Sequence, residues 1–380
     1  MTPRGALARD GAPWVLCGMP DAGTPATTTT LRTHAAVRAA AKDWATFSSD
    51  LQGDADVRDY RQLPLEADPP AHGAWRALLL PAFGRVEVAR MEPALRAAAR
   101  AIVAAAVARG RFDAVHDVAF PMVLRALAIA FRREQDVAEW ASWGVETWRV
   151  HADGTRDGAH LERYLDRVLA EAAVAPDPDG DLFAWLAAAT IDGRPLTHVE
   201  RKGVANLVLA GGRDTVVKLV AGALRHLAHH PADLAWLAAE PSRLGTAIEE
   251  WLRVLSPLPR MAREVRGDAT AHGCPVAHGA RVTLDFAAAN HDASVFEAPC
   301  DVRLDRRPNP HVAFGAGPHT CVGAHLAKVQ ARVLLEALLE TGATLAPDGE
   351  AGIEWIDAGP GARVPLRLHH VPLRVVVATG

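Results

Sequence analysis

Apolar positions recur at helical spacing along most of the chain. Residues 91–109 (MEPALRAAARAIVAAAVAR) set alanine, leucine, isoleucine and valine on one face and arginine on the other, the pattern of an amphipathic helix. The same period predicts helices over 31–45, 70–80, 112–131, 136–150, 160–173, 181–188 and 232–237. Strand-like runs come late, at 280–285 and 366–377, and 173–180 reads as a loop. The expected fold is mainly α with a smaller β-containing region, and no repeat or low-complexity linker divides it.

The longest helical pattern opens with Thr197-His-Val-Glu200, a capping box in which hydroxyl and carboxylate satisfy orphan N–H groups reciprocally. It can run to His229 or His230 before Pro231 stops it, a length of roughly 50 Å. Its centre, Ala210-Gly-Gly-Arg-Asp-Thr-Val216, is not what helix propensity would choose; two adjacent glycines cost about 2 kcal/mol relative to alanines. Either helices pack closely there, or the helix opens over a ligand.

Composition narrows the class. Of 380 residues 49% are apolar and 23% charged, ordinary for a globular protein. The net charge of −4 gives no global field to favour nucleic acid or an anionic membrane. No N-terminal leader pattern or uncharged apolar run of about eighteen residues is evident, so the expectation is a soluble chain. Cys17, Cys274, Cys300 and Cys321 form no CxxC pair, which fits a reducing cytoplasm.

One cysteine stands apart. From Asn309 the sequence NPHVAFGAGPHTCVGAHLAK delivers Cys321 through a glycine-rich loop to the start of a long amphipathic helix. There the helix dipole and unpaired N–H groups push a thiol toward thiolate. Gly315, Gly317 and Gly323 permit tight turns and close approach to a flat ligand, and Phe314 can shield the sulfur. His319, Cys321 and His325 could alternatively be zinc ligands, but no fourth ligand lies at conventional spacing and the glycines would be unexplained.

The frame Phe314-Gly315-x-Gly317-x-His319-x-Cys321-x-Gly323 resembles the haem-binding loop of the cytochromes P450, soluble bacterial type. Other segments follow in the family's order. Glu250-Trp-Leu-Arg253 resembles its ExxR motif, with Arg306 the candidate third member of that structural network. His72 and Arg76 (HxxxR), Arg260 and His319 match positions that hold the haem propionates. Gly211-Gly212-Arg213-Asp214-Thr215 is similar to the segment over the distal haem face. There a stripe of Val208, Gly211, Gly212, Thr215 and Leu219 would face the iron, and Arg213 would point away and be free to pair with Asp214.

The resemblance implies one haem domain over 1–380, with no fused reductase or ferredoxin. It implies haem b with Cys321 as axial ligand, and Asp214 and Thr215 as the catalytic proton relay. The reaction implied is monooxygenation, either hydroxylation or oxidative dealkylation, of a small, mostly apolar substrate. No flavin, nicotinamide or iron–sulfur motif occurs, so electrons would come from a separate ferredoxin and its reductase. A cationic stripe, His325, Lys328 and Arg332, is the expected docking surface, with Arg76 beside it. Two rivals of the same fold are a peroxide-using enzyme and a non-enzymatic haem sensor, neither of which needs the Asp–Thr pair. Expected pocket lining comes from 57–63, Trp140, Trp143 and Trp148, Leu207, Val208 and Gly211, 256–258 with Leu258, and 368–370 with Leu368.

Overall fold

The structure, a computed structural model, describes residues 29–51, 58–146, 149–150, 156–271 and 274–376. Helices dominate, and the central ones are apolar nearly all round. In Asp214–His229 every residue from Val216 to Ala228 is buried, as expected of a helix enclosed by others. Around it lie Phe120–Phe131, Leu244–Leu255 and Ala324–Glu340, sharing one core that contains Leu79, Leu95, Trp140, Trp251 and Leu334.

The strands sit to one side. Thr29–Leu31, Arg281–Asp285, Arg260–Val265 and Phe47–Ser48 form a four-stranded sheet in that order, parallel at the first pairing and antiparallel at the others. It covers a second core of Leu31, Val37, Val265, Val282, Leu284 and Phe286. Gly352–Asp357 and Arg363–His370 form a bulged hairpin, and Pro372–Val376 joins Thr344–Pro347 and Arg111–Asp113 in a third sheet.

Several predicted elements change at their ends or divide. The capping box at Thr197 forms, but the long helix does not run through: it breaks into His198–Gly211 and Asp214–His229. Gly212 leaves helical geometry, and Arg213, at φ −90° and ψ −77°, starts the next helix. The pattern at 112–131 resolves into strand Arg111–Asp113, a π-turn at Ala114–Ala119 and helix Phe120–Phe131. Asp113 caps that turn by accepting from Val115 and His116 N–H groups. Helix Val137–Ser142 ends early because Gly144 takes a left-handed φ of 82°. The run at 366–377 is two strands that part at Val371.

Among the described residues, Ala114–Phe131 is long and apolar enough by length and composition to cross a membrane, yet 67% of it is buried within the protein. It is a core element here.

Candidate active site

The cysteine loop is held by its own backbone. Cys321 N–H donates to Phe314 O at 2.9 Å, Gly315 N–H to Val312 O at 2.9 Å, and Thr320 Oγ1 to Gly317 O at 2.8 Å. Gly317 has φ +71°, and a Cβ there would lie 2.5 Å from the Ala41 carbonyl. The loop therefore presses on the His34–Lys42 helix as only glycine allows. Gly323 caps Ala324–Glu340, and its absent Cβ would meet the Cys321 sulfur at 3.9 Å.

The thiol differs from expectation. Burial pushes it above its ordinary range, and the Gly323 and Ala324 N–H groups and the Arg76 guanidinium only oppose this. Desolvation outweighs the helix terminus, so an electropositive partner is needed to complete the thiolate. Among the described residues no three His, Cys, Asp or Glu side chains converge to hold a metal ion, which disposes of His319, Cys321 and His325 as a zinc set.

Basic groups gather beside the cysteine. The rings of His72 and His319 lie 4.3 Å apart, and Arg76 Nη1 donates to Thr320 O at 2.6 Å. Burial, then the charges of His72, Arg263 and Arg76, lower His319 to about 3, so at neutral pH it is an uncharged imidazole. Its Nε2 is buried without a hydrogen-bond partner. Arg263, which the sequence reading missed, also belongs to this group. Arg260 has protein partners of its own: its Nε is 3.0 Å from Asp285 and its Nη2 donates to Asp357 O at 2.7 Å. An orphaned imidazole and neighbouring guanidinium groups beside an accessible thiol fit a group carrying both carboxylates and a metal, as haem does.

Behind the loop, Glu250 and Arg253 are both 0% exposed and joined by two hydrogen bonds of 2.8 and 2.9 Å. Arg306 Nε reaches the same carboxylate at 3.0 Å, as do Asn309 Nδ2 at 3.1 Å and Arg303 N–H at 2.9 Å. Burial alone would raise the Glu250 carboxyl; Arg253 and the other donors outweigh it and hold it below the ordinary range. Each guanidinium also donates to carbonyls of residues 290–301. The network thus fixes the segment leading into the cysteine loop.

On the opposite side, Thr215 Oγ1 donates to Gly211 O at 3.3 Å, and nothing lies within 4 Å of a Cβ built on Gly212. Arg213 does not pair with Asp214. Buried, it donates to Trp140 O and Gly144 O, with its guanidinium over the Phe120 and Trp143 rings. Asp214 pairs instead with Lys218, at 2.9 Å. Val208 and Leu219 are buried in the main core.

Of the expected lining, Leu207 lies against Gly211 and Leu368 is buried, whereas Leu258 is 40% exposed. Trp140 and Trp143 pack on Tyr164 as core residues. Ser256 is a helix cap bonded to Arg253 O. Val57, Trp148 and Cys17 lie outside the described residues. One arrangement had no local signal: Asn206 donates from Nδ2 to Tyr60 OH and accepts at Oδ1 from Gln62 Nε2, while Tyr60 OH donates to Glu162. These buried bonds tie residues 58–66 to two helices.

The chain resembles known proteins over most of its length. The family described as Cytochrome P450 matches residues 244–347. A probable cytochrome P450 127A1 of Sinorhizobium fredii is 35% identical over 76% of this chain and 70% of that one. A steroid C26-monooxygenase of Mycolicibacterium smegmatis is 30% identical over 72% and 71%. The solved structure of a carbohydrate active P450 superposes with a TM-score of 0.83 at 31% identity, covering 96% and 95% of the two chains. With its fold, its cysteine loop and these relatives in agreement, the chain belongs to the cytochrome P450 family of haem monooxygenases.

Proposed function

We propose that the chain is a single haem domain that inserts one atom of dioxygen into a small, mostly apolar organic molecule, the other leaving as water. Electrons arrive from a separate ferredoxin and its reductase, in the cytoplasm. The observation that carries this reading is Cys321, an accessible thiol that a glycine-turned loop sets at the head of the Ala324–Glu340 helix, beside His72, Arg76 and His319. Bound haem supplies oxygen activation; the chain's residues place and protect it. Cys321 would hold the haem iron through its sulfur, with Phe314 and Gly323 against it. His72, Arg76 and His319 face the carboxylates, and Gly211 and Gly212 leave room on the distal side. Thr215 holds a water, and Asp214 passes protons to it from outside.

Leu207, Val208 and Leu368 give the distal wall its apolar character. Relatives are named for acting on a steroid and on erythromycin, which supports an organic framework with few charges.

The test is the spectrum of the reduced, carbon-monoxide-bound protein, which should carry the strongly red-shifted band of thiolate ligation and lose it in Cys321→His. A band unchanged in that variant sinks the assignment. Product formed from NADH with added ferredoxin and reductase separates the monooxygenase from a peroxide-using enzyme and from a haem sensor.

A further inference from the structure

Arg213 stands in the helix break, and none of the roles above absorbs it. It is 1% exposed, and no carboxylate comes within ion-pair distance of it among the described residues, its neighbour Asp214 being paired with Lys218. Burial lowers it only to about 10, so it stays charged. The charge is met by other means. Phe120 and Trp143 present ring faces to the guanidinium at 5.2 and 5.6 Å, and Nη2 donates to Trp140 O and Gly144 O. These carbonyls lie at the end of Val137–Ser142, where a helix leaves its last carbonyls unpaired. Nε and Nη1 have no hydrogen-bond partner among the described residues. An apolar side chain between the same two rings would orphan no donor and bury no charge, and such replacements are often neutral or stabilising. What the guanidinium adds over a hydrophobe is direction: its hydrogen bonds tie the break at Gly212 to residues 140–144 and, among the described residues, to no other segment.

Both ends of that tie border one cavity of about 250 Å³. Trp143, Gly144 and Glu146 line it from the tied segment, and Asp214, Val217 and Lys218 line it from the helix that Arg213 starts. The Asp214 side chain is 42% exposed, so the carboxylate meets solvent here. Glu146 is bound in turn by Arg367, at 2.7 Å, from the Arg363–His370 strand. The wall at 143–146 is thus held at two points, and only one of them, Arg213, leads back to the helix break. Asp214 is the next residue in the chain. A shift of Gly144 draws on the Arg213 side chain, and through its backbone on Asp214, so one residue carries the acid and holds the wall of the cavity into which the acid opens.

We propose that Arg213 is a positioning residue for Asp214, coupling the wall at 140–146 to the helix break so that the opening by which Asp214 meets solvent keeps one width. The part given to Asp214 rests on the monooxygenase reading above; the tie does not. Amide hydrogen exchange of the haem-loaded protein, read by mass spectrometry over 137–146 and 212–217, tests the tie. Arg213→Met should speed exchange in both segments about 10- to 100-fold, as loss of charged hydrogen bonds does, yet melt no lower than wild type, because it removes a buried charge. Arg213→Lys should fall between. Arg367→Met frees Glu146 and leaves Arg213 in place, so it should speed exchange over 137–146 alone. With ferredoxin and reductase, Arg213→Met should also shift the products of NADH consumption toward peroxide, and Arg213→Lys should reverse most of that shift. Wild-type exchange over 212–217 in Arg213→Met, or equal acceleration there in Arg367→Met, would overturn the coupling. A lower melting temperature in Arg213→Met would make the residue a prop of the fold. Coupled exchange with peroxide per NADH unchanged would overturn the positioning of Asp214. A wild-type chain that loads haem but consumes no NADH with these partners would fail the monooxygenase reading, and the part given to Asp214 with it, while exchange still decides the tie.

Discussion

Lys218 holds Asp214 one helical turn away: Nζ lies 2.9 Å from the carboxylate and also donates to Leu366 O at 3.2 Å. Asp214 must leave this tether to pass a proton toward Thr215. If it does, Asp214→Asn should slow turnover about 100-fold, the low end of a general acid–base contribution, with substrate affinity unchanged. Lys218→Met should alter the rate by less than tenfold. Wild-type turnover in Asp214→Asn would show that protons take another path.

Thr215 makes one long hydrogen bond, 3.3 Å to Gly211 O, so its hydroxyl is weakly committed to its own helix. Thr215→Ala should keep haem and substrate binding but divert reducing equivalents, with NADH consumed and peroxide accumulating. Thr215→Ser should recover most of the coupling. Equal product per NADH in Thr215→Ala would make the residue part of the helix only.

Glu250 is the hub of the proximal network, with Arg253 and Arg306 both bonded to it in the interior. Glu250→Gln removes the charge and leaves two buried guanidinium groups facing each other. The expected cost is on the order of 3–5 kcal/mol, read from urea unfolding, together with poor haem retention. A variant as stable as wild type would mean the network is not what fixes residues 290–309.

What could be read from sequence was chemistry confined to one segment. Thr197 and Glu200 cap each other at i, i+3, Glu250 and Arg253 pair at the same spacing, and Gly317 marks a turn only glycine can make. What could not be read depends on partners distant in the chain. The pattern 197–230 satisfies helical periodicity throughout and its paired glycines leave close packing and a local opening as alternatives, so the break at Gly212 is fixed only when Arg213 is seen bonded to carbonyls about seventy residues earlier. Arg260 and Arg263 look equivalent as charges on a strand; Asp285, on the neighbouring strand, sets them apart. Tyr60 and Asn206 meet only in three dimensions.

His291 gives an acid-sensitive term. Burial, opposed by its bond to Ala287 O and reinforced by Arg253, lowers it to about 4, against an unfolded value near 6.5. Above pH 6.5 both states hold it neutral. As pH falls from 6.5 to about 4 only the unfolded chain takes the proton, so stability is lost in that window, by about 3 kcal/mol. His291→Gln should flatten the fall in melting temperature between pH 6.5 and 4. An identical slope would place the acid sensitivity elsewhere.

The proposed electron-donor surface is less cationic than its sequence suggests. Lys328 is paired with Glu249 at 2.9 Å, and Arg332 with Glu92 and Glu336 at 2.8 and 3.2 Å. Arg96 bridges the same two acids. Only His325 of the expected stripe lacks a carboxylate partner among the described residues, and burial and the charges of Arg85, Lys328 and Arg332 lower it, which disfavours its charged form. Arg85 is exposed, has no ion-pair partner among the described residues, and adjoins Val86, 71% exposed, and exposed Leu80. A cation already matched must give up its partner before it can bind a ferredoxin carboxylate, whereas an unmatched one need not. Arg85→Gln should therefore raise the ferredoxin concentration giving half-maximal reduction by about three- to fivefold, consistent with an exposed pair worth up to about 1 kcal/mol. Lys328→Gln should raise it less, and salt should slow the wild-type reaction only gently because few charges are unpaired. Stopped-flow reduction at two ionic strengths measures both. A larger effect at Lys328 than at Arg85 would mean that the donor breaks the Glu249 pair and docks over the Ala324–Glu340 helix after all.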